Sequence, residues 1–330
     1  MVISVVDKHP FFYHYTNACG LHGIVMTQQI WATNIAFLND AEEHIGFLDR
    51  RLPRLMREAV TKACEIFAAQ PDGRQTILEM GGMEKIVTDQ AAILAAKIKE
   101  STLQFNEPYV ASFTGVPPKG HEDDGILSQW QGYGTDGGYA IVFESEPLEQ
   151  LLIEETSRYQ LQLGVWGDVE YYSQLADHKP AYPETIEREN AIRDAIEKSI
   201  ISAEPDSYEA LFEPISVLSC THKHQGFHQE AEVRIVVILT KDKMLRANKE
   251  LNDGRKKKCI HFRPRDGVLV PYIKLFERDE SEVRVKLPIR KIIVGPHQEK
   301  HKRKEAVELL LDRHNIDAAV VMSDIPFIGR

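Results

Sequence analysis

Apolar and polar positions alternate over short runs near the start of the chain, repeat at helical spacing through two long segments, and return to alternation towards the end. The run at residues 11–16, FFYHYT, predicts an aromatic strand, and Leu21, Ile24 and Val25 follow at the spacing of an amphipathic helix or turn. Residues 30–33 read as a second strand, closed by the turn-like Leu38, Asn39 and Asp40, which also suit a helix cap with Glu42 and Glu43 in the first turn. Helical periodicity then covers residues 41–70, broken or kinked near Pro53, and resumes over about 74–103 after the Pro71-Asp72-Gly73 turn. Strand character returns at 109–114 and 138–144, with a Pro/Gly loop and a short helix carrying Leu127, Trp130 and Gln131 between them.

A helix over about 147–158 leads into the alternating LQLGVWGDVEYY, and helical patterns follow at 184–203 and from Ser207 to about Leu218. Residues 241–258 are charge-rich and read as a solvated loop. Strands are expected at 259–263, 267–276, 289–294 and 318–322, with a helix over about 300–314. Strands mixed with helical insertions, without regular βαβ winding, predict an α+β fold. We expect residues 1–330 to form a single domain with helical insertions at about 41–104 and 184–218.

The stretch 221–239, THKHQGFHQEAEVRIVVIL, is a polar loop running into a strand. Alternation puts Glu230, Glu232 and Arg234 on one side and Val233, Ile235 and Val237 on the other. Two carboxylates and an arginine on a strand face need water, a ligand or one another. Two readings stay open: an edge strand with a solvated Arg/Glu cross-pair, and the wall of a ligand pocket.

The composition, 43% hydrophobic and 27% charged over 330 residues, is that of a globular protein with a sizeable core. A net charge of -10 disfavours general nucleic-acid or membrane-surface binding. There is no signal-peptide pattern, no apolar run of membrane-spanning length, and no metal-ligand or disulfide spacing among Cys19, Cys64, Cys220 and Cys259, so a reducing, cytoplasmic setting is expected.

His14 and Thr16 share one side of the first strand, where they can hold ligand hydroxyls, and Tyr15 takes the other; a satisfied core histidine is the competing reading. Ser112, Thr114, Trp130, Tyr133 and Tyr139 lie in a segment rich in glycine, suited to stacking a nucleobase or nicotinamide ring, or else to a core anchor and a hairpin turn. The glycine spacing there is neither a dinucleotide fingerprint nor a P-loop. His222, His224 and His228 lack a metal-site pattern, and no nucleophile elbow occurs.

Several pieces in order resemble an uncharacterised bacterial family known as domain of unknown function 2971. They are Tyr13-His14-Tyr15-Thr16, Ile30-Trp31-Ala32-Thr33, Leu38-Asn39-Asp40-Ala41-Glu42, Ser112-Phe113-Thr114, Gln129-Trp130 through Tyr133-Gly134, Gly138-Tyr139, Glu230 and Glu232 with Arg234, Ile293-Val294-Gly295-Pro296 and Ser323-Asp324-Ile325-Pro326. That family is in turn distantly similar to ADP-ribosyltransferases, which place three motifs on a split β-sheet around NAD. The resemblance implies that His14, with Thr16 beside it, holds the nicotinamide ribose, that Ser112, Thr114 and Tyr139 support the nicotinamide pocket, and that Glu230 or Glu232 polarises the ribose 2′-hydroxyl. Tyr15, Trp130, Tyr133 and Arg234 complete the expected NAD-contacting set, with no metal. Asn39, Asp40 and Glu42 have no counterpart in the three motifs.

The implied function is an NAD-using transferase acting in bacterial defence, such as against phage, or as a toxin. Its acceptor would be a protein, or less favourably a nucleic acid engaged through the basic run at 255–258. The alternative is a non-catalytic nucleotide-sensing or protein-interaction module of the same fold.

Overall fold

The computed structural model of the chain describes residues 4–39, 43–115, 121–134, 137–202, 210–241, 254–279 and 282–326. The first half contains α1 (Val5–Lys8), β1 (Phe11–Thr16), α2 (Ala18–Thr27), β2 (Ile30–Asn34), α3 (Leu52–Ala68), α4 (Gly73–Glu79), α5 (Met83–Phe105), β3 (Pro108–Thr114), α6 (Leu127–Tyr133), β4 (Tyr139–Glu144) and α7 (Ser145–Arg158). The second contains β5 (Leu161–Asp168), β6 (Glu170–Tyr172), α8 (Pro183–Ser202), α9 (Phe212–Leu218), β7 (His222–His224), β8 (Glu232–Leu239), β9 (His261–Arg265), β10 (Val268–Leu275), β11 (Ile289–Val294), α10 (Lys300–Arg313) and β12 (Ala319–Met322).

The fold is α+β, built on a ten-stranded mixed sheet. One path runs β12-β11-β4-β1-β3-β2-β10-β9, and β8 lies between β3 and β5. All pairs are antiparallel except β11 with β12. One core holds Phe12, Phe113, Phe143 and Trp166 together with Leu21, Ile24 and Val25 of α2 and Leu148 and Leu152 of α7. Phe12 stacks on Trp166 with ring centres 4.3 Å apart. Tyr13, Tyr15, Ala140 and Val142 turn to the opposite face and pack around Trp130 of α6.

The helices of residues 52–105 and 183–218 form a second core of their own. On α3 the buried positions Leu52, Leu55, Met56, Ala59, Val60, Ala63 and Cys64 recur every three or four residues. Facing alanines Ala91 and Ala95 of α5 belong to the same core and are small enough for close helix approach. The kink expected near Pro53 is a turn of π-helix at Phe47–Arg51, in which Leu52 N–H reaches back to Phe47 O. That turn carries Arg51 into a two-pronged ion pair with Glu189 of α8, at 2.6 and 2.7 Å.

Three expectations are corrected. The single helix over 74–103 is two, because Gly81 and Gly82 adopt φ of +100° and +92° and end α4 before α5 begins. The strand β8 is not an edge: all its residues are buried, and Val233 to Ile238 lie between β3 and β5. Five successive apolar residues, Ile235 to Leu239, are the pattern of a strand covered on both faces, and Glu232 and Arg234 enter only at its start.

The basic run is not simply solvated either. Lys258 is buried with its Nζ 2.5 Å from Glu155, and Lys256 pairs with Asp279. Residues 203–209 and 242–253, which include the expected helix start at Ser207 and most of the charge-rich loop, lie outside the described residues, as do Asp40, Ala41 and Glu42. No described helix is long and apolar enough to cross a membrane.

Candidate functional site

The site begins with a gap in the sheet. Along one edge β3 pairs with β8 throughout, from Pro108↔Ile238 to Thr114↔Glu232. On its other edge β1 reaches only Thr114, opposite Tyr13, and β2 reaches only Val110 and Tyr109, opposite Thr33 and Asn34. Between them residues 111–113 have no strand partner on that edge. The gap is bridged by a side chain: His14 Nδ1 lies 3.0 Å from the carbonyl oxygen of Ser112. A carbonyl only accepts, so Nδ1 carries the proton and donates. Burial lowers the His14 pKa against the raising effect of the Ser112 bond, so the ring is neutral at neutral pH and Nε2 is left as an acceptor.

A cavity of about 480 Å³ opens at this gap. Register puts Tyr13, Thr114 and Glu232 on one face of the sheet, with Ser112 and Arg234 beside them. His14 and Thr16 belong by alternation to the other face. Because the sheet is parted here, both sets line the same cavity.

Its floor is an ion cluster. Arg234 grips Glu232 through Nε to Oε1 at 2.8 Å and Nη2 to Oε2 at 3.0 Å, and its Nη1 donates to Cys220 O at 2.7 Å. It also reaches Glu43 at 3.0 Å. Lys223 lies 2.7 Å from Glu230, 3.2 Å from Glu232 and 3.4 Å from Glu43. Burial opposes ionisation of Glu232, but Arg234 and Lys223 overcome it and hold the carboxyl at about 2. Burial raises the pKa of Glu230, with Lys223 acting against it. Among the described residues of the cluster three carboxylates face two cations, which leaves one formal negative charge in excess.

The two glutamates are not equivalent. Glu232 is the first residue of β8, whereas Glu230 ends a 3₁₀ turn, Gln225–Glu230, and Ala231 between them takes a left-handed φ of 43°. Alternation along one strand therefore does not relate them, a correction to the reading of one polar strand face. They meet through Lys223 instead.

Of the expected site residues, His14, Tyr15, Thr16, Ser112, Thr114, Tyr133, Glu230, Glu232 and Arg234 line the cavity. Trp130 does not: it is fully buried, with Nε1 donating to Asp124 O at 2.9 Å and its ring edge-on to Tyr15 at 4.8 Å. Tyr139 packs into the first core and is likewise absent from the lining. His222 is buried with Nδ1 2.7 Å from Leu218 O, and His224 and His228 bond within their own turn. No group of described His, Cys, Asp or Glu side chains has a metal-binding arrangement.

Glu43, Lys223, Arg263, Arg265, Trp31 and Gln129 line the cavity without having been singled out as site residues from sequence. Glu43 comes from the segment joining β2 to the helices, and Arg263 and Arg265 come from β9. The expected strand at 259–263 stops short of Arg265; the observed strand runs His261–Arg265, and alternation along it puts both arginines on the face that the fold brings to the cavity.

No curated protein and no solved structure is matched by this chain. Residues 129–235, which carry Gln129, Tyr133, Lys223, Glu230, Glu232 and Arg234 of the cavity, match the family described as "Protein of unknown function (DUF2971)".

Proposed function

We propose that the cavity binds NAD and that the chain is an ADP-ribosyltransferase-like enzyme. The observation that carries this reading is the presence of a neutral His14 and an ionised Glu232 in one cavity at a parting of the sheet. His14 Nε2 accepts a hydrogen bond from a ribose hydroxyl. Glu232 accepts from the 2′-hydroxyl and faces the carbon where positive charge develops. The bond from C1′ to the nicotinamide nitrogen breaks with its electron pair leaving on neutral nicotinamide, and C1′ becomes oxocarbenium-like. An acceptor nucleophile forms the new bond to C1′ and releases its proton. A fixed carboxylate with one negative charge in excess around it favours that transient cation over the ground state.

The test is isotope-labelled NAD incubated with wild type, His14→Ala and Glu232→Gln, reading nicotinamide release and label transfer. Wild-type turnover that falls at least about a hundredfold in Glu232→Gln supports the reading. It is abandoned if wild type neither binds NAD nor releases nicotinamide nor labels any component of a cell lysate.

One observation favours a second reading, a nucleotide-sensing module without turnover. Arg234 occupies both oxygens of Glu232, so the carboxylate is already satisfied inside the protein. That reading expects NAD or ADP-ribose to raise the melting temperature through the same cavity with no product formed.

A further inference from the structure

The cavity has a second charged end. Arg263 and Arg265 stand two positions apart on β9 and share a sheet face with Trp31 and Thr33, through Tyr272 and Val270 of β10. Arg263 Nη2 donates to Thr33 Oγ1 at 3.2 Å, and its guanidinium carbon lies 5.7 Å from the centre of the Trp31 ring. Arg265 Nη2 donates to the carbonyl of Phe37. Each guanidinium is thus oriented by a neutral oxygen, and among the described residues neither has a carboxylate partner. The Nε of Arg263 is enclosed and has no hydrogen-bond partner there. This contrasts with Arg51, Arg158, Arg193, Arg234 and Arg278, each paired with a carboxylate. Burial and the neighbouring Arg265 lower the pKa of Arg263, a repulsion that an anion would relieve.

A single cavity is therefore lined both by the carboxylates Glu43, Glu230 and Glu232 and by Arg263 and Arg265, which have no carboxylate partner among the described residues. Residues two apart on a strand are separated by roughly 7 Å, wide enough for two forks to take adjacent phosphoryl groups. We propose that Arg263 and Arg265 bind the diphosphate of a dinucleotide-class ligand, with Trp31 flanking it, so that the ligand's ribosyl end extends to Glu232. The identity of the ribosyl end rests on the NAD reading above; the diphosphate assignment rests on the arginines.

Isothermal titration with ADP-ribose, inorganic pyrophosphate and adenosine tests this on wild type, Arg263→Ala, Arg265→Ala and Arg263→Lys. Wild type is expected to bind ADP-ribose and pyrophosphate, more weakly as salt rises. Each alanine variant is expected to lose at least roughly tenfold in affinity for both, while Arg263→Lys keeps part of it. Adenosine affinity should change little. Melting temperatures near wild type show that both alanine variants are folded; should either melt early, Arg263→Lys against wild type carries the comparison.

The assignment is overturned if wild type binds neither phosphate compound, or if the folded variants bind both as tightly as wild type. An NAD turnover assay separates the two proposals. Cleavage with KM unchanged in the arginine variants sinks the diphosphate site and leaves the transferase reading intact. Arginine-dependent ADP-ribose binding without cleavage sinks the transferase and leaves the site.

Discussion

Glu232 and Arg234, two residues apart on β8, are joined by two parallel hydrogen bonds inside the protein, Nε to Oε1 at 2.8 Å and Nη2 to Oε2 at 3.0 Å. A pair this buried contributes little net stability, because desolvation offsets attraction, yet removing one member strands the other. Arg234→Ala leaves both Glu232 and Glu43 without their guanidinium and should cost about 3 to 5 kcal/mol. Glu232→Gln retains an acceptor and should cost less. Urea unfolding of the two single variants and the double variant gives the coupling between them; a coupling near zero would show that the pair is not held as described.

Acid should destabilise the protein through two buried histidines. Burial lowers the pKa of His44 and of His222 from 6.5 to about 4. Well above pH 6.5 both rings are neutral whether folded or not. As pH falls from 6.5 towards 4 the unfolded chain takes up protons that the folded chain refuses, so stability drops through this window, on the order of 3 kcal/mol per histidine. Glu232 acts lower: its stabilisation is present above its unfolded pKa and is lost as pH falls through about 2. Urea midpoints at pH 7.5, 6 and 5 should therefore decline, and less steeply in His222→Gln. A flat profile down to pH 5 would contradict the burial of these rings.

Most strands and helices were legible from local pattern because each satisfies its own periodicity. The aromatic alternation of β1 and the three-and-four spacing of α3 are examples. The boundary between α4 and α5 required backbone conformation at Gly81 and Gly82, which composition alone does not reveal. The site was partly legible: His14, Ser112 and Glu232 stood out as polar residues in apolar strands. Glu43 and Lys223 did not, since Glu43 reads as a first-turn helix residue and Lys223 lies in a polar loop, and only the fold buries them together. Trp130 misled for a physical reason, because an aromatic ring that anchors a core and one that stacks on a ligand have the same local sequence. The parting of the sheet arises from two strands sharing one edge of β3, a non-local fact.

Lys223 sets the charge felt by Glu232, so its removal should be visible in a pH profile. Lys223→Met deletes one of the two cations that depress the Glu232 pKa, which therefore rises from about 2. If Glu232 acts ionised in NAD cleavage, the acid limb of nicotinamide release moves to higher pH in the variant. An acid limb unmoved by this change would show that another group controls it.

Two glycines in α2 offer a paired test of the cavity. Gly20 and Gly23 both line it, and alanine at either should favour the helix by up to about 1 kcal/mol. A Cβ on Gly20 would lie 1.9 Å from Thr16 Oγ1 and 3.2 Å from Thr16 Cβ, so the threonine must turn its hydroxyl or yield ground at the point where β1 meets the cavity. A Cβ on Gly23 meets nothing within 4 Å. Gly20→Ala should accordingly weaken ADP-ribose binding severalfold with a melting temperature near wild type, while Gly23→Ala should bind with little change. Titration calorimetry beside thermal melts reads both quantities. Equal binding by the two variants, both melting near wild type, would count against Thr16 as part of the ligand-contacting wall.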